Sequence, residues 1–173
     1  MHRHRLSVRS KNLLVVDDDP FDRDFIKASL RENGVSDRIF AFQNANEAIE
    51  YLGGEGKFAN RKEYPYPSMV ITDLKMPTGD GFELLEYLKR DPNYTIVPVL
   101  VLSSSDDDDD VKRAYRMGAA SYIRKPQELA ELRAVLKTFY DYWDMCILPT
   151  VDTAGRQRVT EHHGKLGERF GRL

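Results

Sequence analysis

The fold of this chain is decided by residues 69–77, MVITDLKMP, where a predicted strand runs straight into the carboxylate of Asp73. The same pattern, an apolar run followed at once by polar or charged residues, occurs three more times, at residues 15–18 (VVDD), 101–104 (VLSS) and 122–126 (YIRKP). Parallel strands share one edge at their carboxyl ends, and open α/β folds bind their ligands there. The sequence therefore predicts that these polar groups meet at one edge of a parallel sheet.

Apolar runs and helical patterns alternate along the chain. The predicted strands are Asn12–Val16, Arg38–Phe42, Met69–Thr72, Val97–Leu102 and Ser121–Ile123, and a helical pattern follows each of them. Continuous apolar runs are typical of strands that are covered on both faces. Strands that alternate with helices form parallel sheets with right-handed crossovers. We therefore predict an α/β protein with a (βα)5 pattern, a doubly wound parallel sheet with helices on both faces.

The composition excludes several classes of protein. The 173 residues are 41% hydrophobic, which is enough for one domain with a buried core. No apolar run reaches the roughly 18 residues that a membrane span needs. The single cysteine, Cys146, excludes an internal disulfide framework and fits a reducing, cytoplasmic location. The net charge of −2 combines an acidic centre with basic ends, a distribution that argues against nucleic-acid binding.

Both ends of the chain are predicted to lie outside the folded domain. Residues 1–10 form a basic arm that either contacts an acidic partner or is simply solvated. Residues 150–173 contain four glycines and few large apolar residues, which is typical of a flexible C-terminal tail. The domain itself spans residues 11–149 and includes a long polar loop at residues 55–67.

Two other carboxylates, Asp17 and Asp18, follow the first predicted strand and could form a cation site together with Asp73. Mg²⁺ prefers oxygen ligands and keeps several waters, so one or two carboxylates and a substrate phosphate suffice to hold it. A cation there would offset the repulsion between Asp73 and an incoming phosphoryl group. Residues 17–19 alone are equally compatible with a cap for the first helix, so the Mg²⁺ interpretation depends on Asp73 and Lys125.

Two further residues complete the predicted site. Lys125 could pair with Asp73 or bind a phosphoryl oxygen. Its bond to Pro126 is a candidate for cis geometry, which would turn the lysine sharply. Ser103, after the fourth strand, could donate a hydrogen bond to the same oxygen. A lone Lys-Pro step is usually only a loop, and a lone serine after a strand is usually a helix cap, so the specificity lies in their common edge.

These motifs together resemble the receiver domain of two-component response regulators, which has a flavodoxin-like fold. The resemblance covers about residues 11–149, and the residues that carry it are Asp17, Asp18, Asp73, Ser103, Tyr122 and the Lys125-Pro126 step. It implies the strand order 2-1-3-4-5. It also implies that the backbone carbonyl of Lys75 joins the three aspartates as a Mg²⁺ ligand.

The resemblance implies a function as well. The chain is expected to be a stand-alone regulator that accepts a phosphoryl group from a histidine kinase on Asp73, assisted by Ser103 and Lys125. Ser103 and Tyr122 would then switch the surface formed by the fourth helix, the fifth strand and the fifth helix. Such domains are not enzymes in the usual sense, although they assist their own phosphorylation and dephosphorylation. The side chains of Lys75 and Ser105 are expected to influence dephosphorylation.

The long loop and the end of the final helix are similar to regulators that are paired with bacterial phytochromes and related sensor kinases. This similarity implies a phytochrome-type sensor kinase as partner, an unidentified downstream protein, and a homodimer through the fourth helix, fifth strand and fifth helix. The residues that extend the final helix are Tyr140, Trp143, Ile147 and Leu148. They are equally compatible with an exposed interface and with packing back onto the sheet.

Three alternatives remain to be weighed. Residues 106–110 are five consecutive aspartates at the start of the predicted fourth helix, where they suit the helix dipole. They either act on the nearby site or form a solvated helix start. A Mg²⁺-dependent phosphohydrolase with Asp73 as nucleophile is disfavoured, because haloacid-dehalogenase-type enzymes need a second aspartate where this chain has Lys75. A phosphorylation-independent interaction module is disfavoured by the complete set of site residues.

Overall fold

The computed structural model describes residues 12–33 and 38–159. Its central strands are β1 (Asn12–Val16), β2 (Arg38–Phe42), β3 (Met69–Thr72), β4 (Val99–Ser103) and β5 (Ser121–Arg124). They form one parallel sheet in the order β2-β1-β3-β4-β5. The predicted doubly wound, flavodoxin-like α/β fold is therefore confirmed, including its strand order.

A helix follows each of these strands. The helices are α1 (Pro20–Glu32), α2 (Ala45–Gly53), α3 (Gly81–Arg90), α4 (Asp108–Arg116) and α5 (Leu129–Met145). Four of them begin with a side-chain cap that accepts a hydrogen bond from a first-turn backbone N–H, and the capping residues are Asp19, Asn44, Asp80 and Asp107. Because those N–H groups lack partners within the helix, the caps fix where each helix starts.

The apolar residues of the strands fill two separate cores, one on each face of the sheet. Leu14 and Val16 pack with α2 and α3, whereas Leu13 and Val15 pack with α1 and α5. Successive side chains of a strand point to opposite faces, so a continuous apolar run covers both. With both faces covered by helices, the polar side chains that follow the strands lie together at the carboxyl edge of the sheet.

The fourth strand begins two residues later than predicted. The backbone N–H of Val97 donates to the carbonyl of Tyr94 in a turn (2.9 Å), and Pro98 has no N–H to give to the sheet. At its other end the strand includes Ser103, which pairs with Arg124 of β5. Both strands therefore run one residue further toward the carboxyl edge than the sequence predicts.

The loop at residues 55–67 is more structured than the expected polar loop. It contains a short 3-10 helix at Gly56–Phe58, and the buried Phe58 ring packs edge-on against the ring of Tyr51. Arg61 donates to the carbonyl of Tyr51 at the carboxyl end of α2 (2.8 Å). Helix carbonyls lack partners at that end, so the loop caps α2 as well as covering its aromatic residues.

Two short antiparallel strands, β6 (Pro149–Val151) and β7 (Gln157–Val159), form where the sequence analysis expects a flexible tail. The turn between them is held by Asp152, whose carboxylate accepts a hydrogen bond from the backbone N–H of Arg156 (3.0 Å). That hydrogen bond is the main reason that the pKa of Asp152 is lowered to about 2. Regular secondary structure therefore continues to residue 159, within the region that is predicted to be a flexible tail.

The hairpin docks near the amino edge of the sheet, far from the strand ends that carry the predicted site. The side chain of Gln157 donates to the carbonyl of Pro92 in the loop before β4 (2.8 Å). Residues 160–173 of the predicted tail and residues 1–10 of the predicted basic arm lie outside the described residues.

The end of the final helix packs back toward the sheet. Leu148 is buried, at 3% exposure, and Tyr140 and Trp143 are half-buried against the core formed with α1 and α5. Ile147, in contrast, is 61% exposed. Packing onto the sheet is therefore confirmed for three of the four residues, and Ile147 remains at the surface. Within the described ranges, no helix is both long enough and apolar enough to span a membrane.

Candidate functional site

Three carboxylates gather at the carboxyl edge of the sheet, as the strand pattern predicts. Asp17 follows β1 and Asp73 follows β3, and the register pairs Val16 with Thr72, so the two aspartates lie side by side. Both are buried, whereas Asp18 is exposed. One oxygen of each of the three carboxylates lies within 4.8 Å of the others. This set of oxygen ligands fits Mg²⁺.

The ammonium of Lys125 lies among these carboxylates. Its Nζ is 2.6 Å from Asp17 Oδ2 and 3.0 Å from Asp73 Oδ2, so the predicted pairing of Lys125 with Asp73 is confirmed. A third carboxylate, Asp22, places its Oδ2 2.8 Å from the same nitrogen. The sequence pattern does not single out Asp22 as a site residue. The available signal was its position in the first turn of α1, a helix that begins at the edge where Asp17 lies.

Burial and charge shift the protonation of this cluster. Burial raises the pKa of Asp17 to about 6, and the hydrogen bond from Lys125 offsets only part of that effect. Burial acts to lower the pKa of Lys125, but its hydrogen bonds to Asp17 and Asp22 and the charge of Asp73 outweigh it, so this pKa is raised. The lysine is therefore protonated. One ammonium among several carboxylates leaves this edge short of positive charge, which favours binding of a cation.

Backbone contacts fix the orientation of Asp73. Its Oδ1 accepts hydrogen bonds from the N–H of Leu74 (2.6 Å) and the N–H of Lys75 (3.3 Å), while Oδ2 faces Lys125. Gly81, the first residue of α3, lies against the backbone carbonyl of Asp73, and a Cβ at Gly81 would lie 2.1 Å from that oxygen. The absence of a side chain at Gly81 therefore lets the start of α3 approach the loop that carries Asp73.

Ser103 is buried at the end of β4, on the same edge. Its Oγ accepts a hydrogen bond from the N–H of Ser105 (3.3 Å), and its carbonyl accepts one from the N–H of Lys125 (2.8 Å). No peptide bond among the described residues is cis, so the predicted cis geometry before Pro126 is wrong. The extension of β5 to Arg124 already carries the lysine to the edge of the sheet, and no sharp turn is needed.

Tyr122 lies on β5 and is half-buried against the core formed with α2 and α3. Its hydroxyl donates to the carbonyl of Ser105 (3.0 Å), and its backbone N–H donates to the hydroxyl of Tyr115 (3.2 Å). The N–H of Ser105 is in turn bonded to Ser103. The two predicted switch residues, Ser103 and Tyr122, are thus connected through a single residue of the loop between β4 and α4.

The run of aspartates at residues 106–110 divides into two parts. Residues 106–109 are exposed, as expected for a solvated helix start. Asp110 is half-buried, and its Oδ2 lies 2.7 Å from the Nζ of Lys75 and 2.6 Å from the Oγ of Ser105. Residues 106–109 therefore fit the solvated helix start, whereas Asp110 contacts the loops around Asp73, as expected of a residue that acts on the nearby site.

The sheet is doubly wound, and its carboxyl edge carries a buried aspartate, further carboxylates, a lysine and a hydroxyl. These features together are typical of a class of flavodoxin-like signalling domains. Residues 13–137 match the family described as "Response regulator receiver domain". The chain belongs to this family, whose members are components of two-component systems. The resemblance to receiver domains that the sequence motifs indicate is therefore confirmed.

Two cyanobacterial relatives are similar over most of this chain. Response regulator Rre1 of Synechocystis sp. is 30% identical over 160 residues, which is 92% of this chain and 64% of Rre1, so this chain spans less than two thirds of that relative. Response regulator Rcp1 of the same organism is 26% identical over 133 residues, which is 77% of this chain and 88% of Rcp1.

Solved structures show the same likeness. The phosphorylated cyanobacterial phytochrome response regulator RcpA superimposes with a TM-score of 0.76 at 31% identity, and the match covers 82% of this chain and 99% of RcpA. The Mn(2+)-bound form of Rcp1 gives a TM-score of 0.74 at 26% identity and covers 81% of this chain and 99% of Rcp1. The chain is therefore similar to phytochrome-associated response regulators in fold as well as in sequence.

Proposed function

We propose that this chain is a stand-alone response regulator that accepts a phosphoryl group from a histidine kinase on Asp73 and signals through a change of its surface. One observation carries the proposal. The buried carboxylate of Asp73 lies 3.0 Å from the protonated Lys125 and beside two further carboxylates, at the carboxyl edge of the sheet. That arrangement combines a nucleophile, a cation site and an ammonium that can bind phosphate.

In this proposal, Asp73 attacks phosphorus in line with a leaving group. One of its oxygens forms the new P–O bond while the P–N bond of phosphohistidine breaks, and the imidazole leaves with the electron pair and takes up a proton. Lys125 exchanges its contact with Asp73 for one with a phosphoryl oxygen, and the Ser103 hydroxyl donates to another. Positioning and charge stabilisation supply most of the catalysis in phosphoryl transfer, and these residues supply both.

The residues that would hold Mg²⁺ are Asp17, Asp18 and Asp73, together with the backbone carbonyl of Lys75. When bound, the cation supplies positive charge that offsets the repulsion between Asp73 and the phosphoryl oxygens. The raised pKa of Asp17 fits this role, because the positive charge of the cation would stabilise the ionised form of this buried carboxylate. The Mn(2+)-bound form of Rcp1 is an example of a relative with a divalent cation.

Ser103 and Tyr122 would carry the signal to the surface. When the Ser103 hydroxyl moves to a phosphoryl oxygen, it gives up the hydrogen bond from the N–H of Ser105. Ser105 then shifts with its loop, and Tyr122 loses the carbonyl that its hydroxyl contacts. The ring turns further into the core, and the face formed by α4, β5 and α5 changes. This is a population shift driven by contacts that only the phosphorylated state makes.

The proposed partners follow from this function. They are a sensor histidine kinase, of phytochrome type by similarity to RcpA, and a downstream protein that recognises the switched face. We also propose a homodimer through α4, β5 and α5, a face on which Tyr115 is half exposed. A cytoplasmic location suits such partners, and neither nucleic acid nor a membrane is expected among them.

The test is intact mass spectrometry of the full chain after incubation with acetyl phosphate and Mg²⁺. The wild type should gain one phosphoryl group, about 80 Da, and EDTA should prevent the gain. The matched control is Asp73→Asn, which removes the nucleophile at nearly unchanged volume and should gain nothing. A gain of equal size in Asp73→Asn would assign the phosphoryl group to another residue. No gain in the folded wild type, with acetyl phosphate or with a phosphorylated kinase, would refute the proposal.

A further inference from the structure

The carboxylate of Asp110 joins two loops that approach Asp73 from different strands. Lys75 lies in the loop after β3, and its Nζ is 2.7 Å from Asp110 Oδ2. Ser105 lies in the loop after β4, and its Oγ donates to the same oxygen at 2.6 Å. Asp110 itself belongs to the first turn of α4. One carboxylate oxygen thus holds a lysine, a serine and a helix start together.

Asp110 differs from the other aspartates of its run. Its side chain is 14% exposed, against 91% for the adjacent Asp109. Its carboxylate contacts both the Lys75 ammonium and the Ser105 hydroxyl, two partners outside its own helix, which a solvated helix start does not require.

Both residues that Asp110 holds are also bonded to the candidate site. The backbone N–H of Lys75 donates to Asp73 Oδ1 (3.3 Å), and the backbone N–H of Ser105 donates to Ser103 Oγ (3.3 Å). Lys75 therefore starts next to the nucleophile and Ser105 next to Ser103, and both side chains contact Asp110. Without the carboxylate, the flexible Lys75 side chain would be free to pair with the phosphoryl oxygens on Asp73, in competition with Asp107 and Asp80, whose charges also act on its ammonium.

We propose that Asp110 is a positioning residue that holds the Lys75 ammonium and the Ser105 hydroxyl away from a phosphoryl group on Asp73, and so sets how fast that group is gained and lost. The inference rests on the proposed function, since it concerns the same reaction. It adds a residue whose role is to compete with the phosphoryl group for two side chains.

The physical argument gives the direction of each effect. The negative charge of Asp110 near the mouth of the site repels an anionic phosphodonor, so its removal should speed phosphorylation. Its removal also frees Lys75 to pair with the phosphoryl oxygens, where the ammonium stabilises the acyl phosphate and takes the space of an attacking water. Dephosphorylation should therefore slow. Because the Lys75 side chain is 56% exposed, each change should be modest, about two- to fivefold.

The experiment compares Asp110→Asn with Asp109→Asn in the full chain. Asp109→Asn makes the same charge change one residue away, at a side chain that contacts Lys112 within its own helix. Two rates are measured by intact mass: phosphoryl gain with acetyl phosphate and Mg²⁺, and phosphoryl loss after the donor is removed. Asp110→Asn should gain faster and lose more slowly than the wild type, and Asp109→Asn should match the wild type in both.

A second pair of variants separates positioning from a general structural effect. In a background that carries both Lys75→Gln and Ser105→Ala, Asp110→Asn should no longer slow the loss, because neither side chain is left to be released. Thermal unfolding checks that each variant is folded, and Asp110→Ser replaces Asp110→Asn if the latter is not. A slowing that persists in that background, or equal rates for the Asp110 and Asp109 variants, would overturn the role of Asp110 alone. No phosphoryl gain in the wild type would overturn the proposed function and this inference with it.

Discussion

The Nζ of Lys125 lies 2.6 Å from Oδ2 of Asp17, although 108 residues separate the two in the chain. Even with this partner, burial raises the pKa of Asp17 to about 6. The ion pair therefore does not fully compensate the ionised carboxylate for its loss of water. The candidate site is short of positive charge before any cation or phosphoryl group arrives, and this shortage has consequences for stability.

The metal-free protein should lose stability as the pH rises through about 6 because of Asp17. The pKa of this group is raised from 3.8 to about 6, so in that window the folded state holds a proton that the unfolded state has released. The contribution is fully present below the unfolded pKa and is lost as the pH passes the folded pKa, at a cost of about 3 kcal/mol.

Urea unfolding in EDTA at a series of pH values measures this effect. Asp17→Asn should flatten the profile and should be more stable than the wild type at about pH 8. Asp18→Asn is the control, since Asp18 is exposed, and it should keep the wild-type slope. If the unfolding free energy of the wild type rose relative to that of Asp17→Asn as the pH increased from about 4 to about 8, burial would not raise the pKa of Asp17.

Mg²⁺ should stabilise the wild type against thermal unfolding, because a ligand that binds only the folded state shifts the equilibrium toward it. Asp18→Asn should lose most of that stabilisation, since Asp18 is one of the three grouped carboxylates. Asp22→Asn makes the same charge change at a residue that contacts Lys125 but lies outside that group, and should retain it. Equal loss in both variants would argue for a diffuse electrostatic effect in place of a defined site.

Gly81→Ala should destabilise the protein and slow phosphorylation. The new methyl group would lie 2.1 Å from the backbone oxygen of Asp73, so the start of α3 or the loop must shift, at a cost of about 1–3 kcal/mol. Gly53→Ala is a matched control, because the nearest heavy atom to its new methyl group is 3.4 Å away. Chemical denaturation and the acetyl phosphate assay test both variants, and a Gly81→Ala protein equal to Gly53→Ala in both would contradict the close approach.

Leu148→Ala should cost about 2–4 kcal/mol of unfolding free energy, because Leu148 is buried in the core formed with α1 and α5. The neighbouring Ile147 is 61% exposed, so Ile147→Ala should cost less than about 0.5 kcal/mol. Urea unfolding of the two variants provides the comparison. If both were neutral, the end of the chain before the hairpin would not be part of the folded core.

The sequence predicts the main elements of the fold because their signals are local. The continuous apolar run of Met69–Thr72 indicates a buried parallel strand, and Asp19 before Pro20 marks a helix start. Once the strands are parallel, Asp73 and Ser103 must lie on one edge, and the structure places them there. The local pattern does not set the start of the fourth strand, because Val97 is as apolar as the strand itself; its turn hydrogen bond and the missing N–H of Pro98 exclude it.

Beyond their positions in the first turns of α1 and α4, the contacts of Asp22 and Asp110 leave no signal in the sequence. Both lie in acidic first turns, where a carboxylate has a local explanation as a favourable charge at a helix start. Their contacts with Lys125 and Lys75 depend on which way long side chains turn in the folded chain. The hairpin after Pro149 was missed for the same reason, since its strands are three residues each and one of its docking contacts, at Pro92, is distant in sequence.

The sequence by itself determined the order of strands and helices, the two-sided burial of the sheet, and the common edge on which Asp17, Asp73 and Lys125 would meet. Periodicity, capping and the geometry of parallel strands act over a few residues, so they can be inferred without coordinates. Only the tertiary structure decided that three carboxylates share the ammonium of Lys125, that the peptide bond before Pro126 stays trans, and that Asp110 turns toward Lys75. Those outcomes depend on distances between side chains far apart in the chain, which packing sets and local pattern does not.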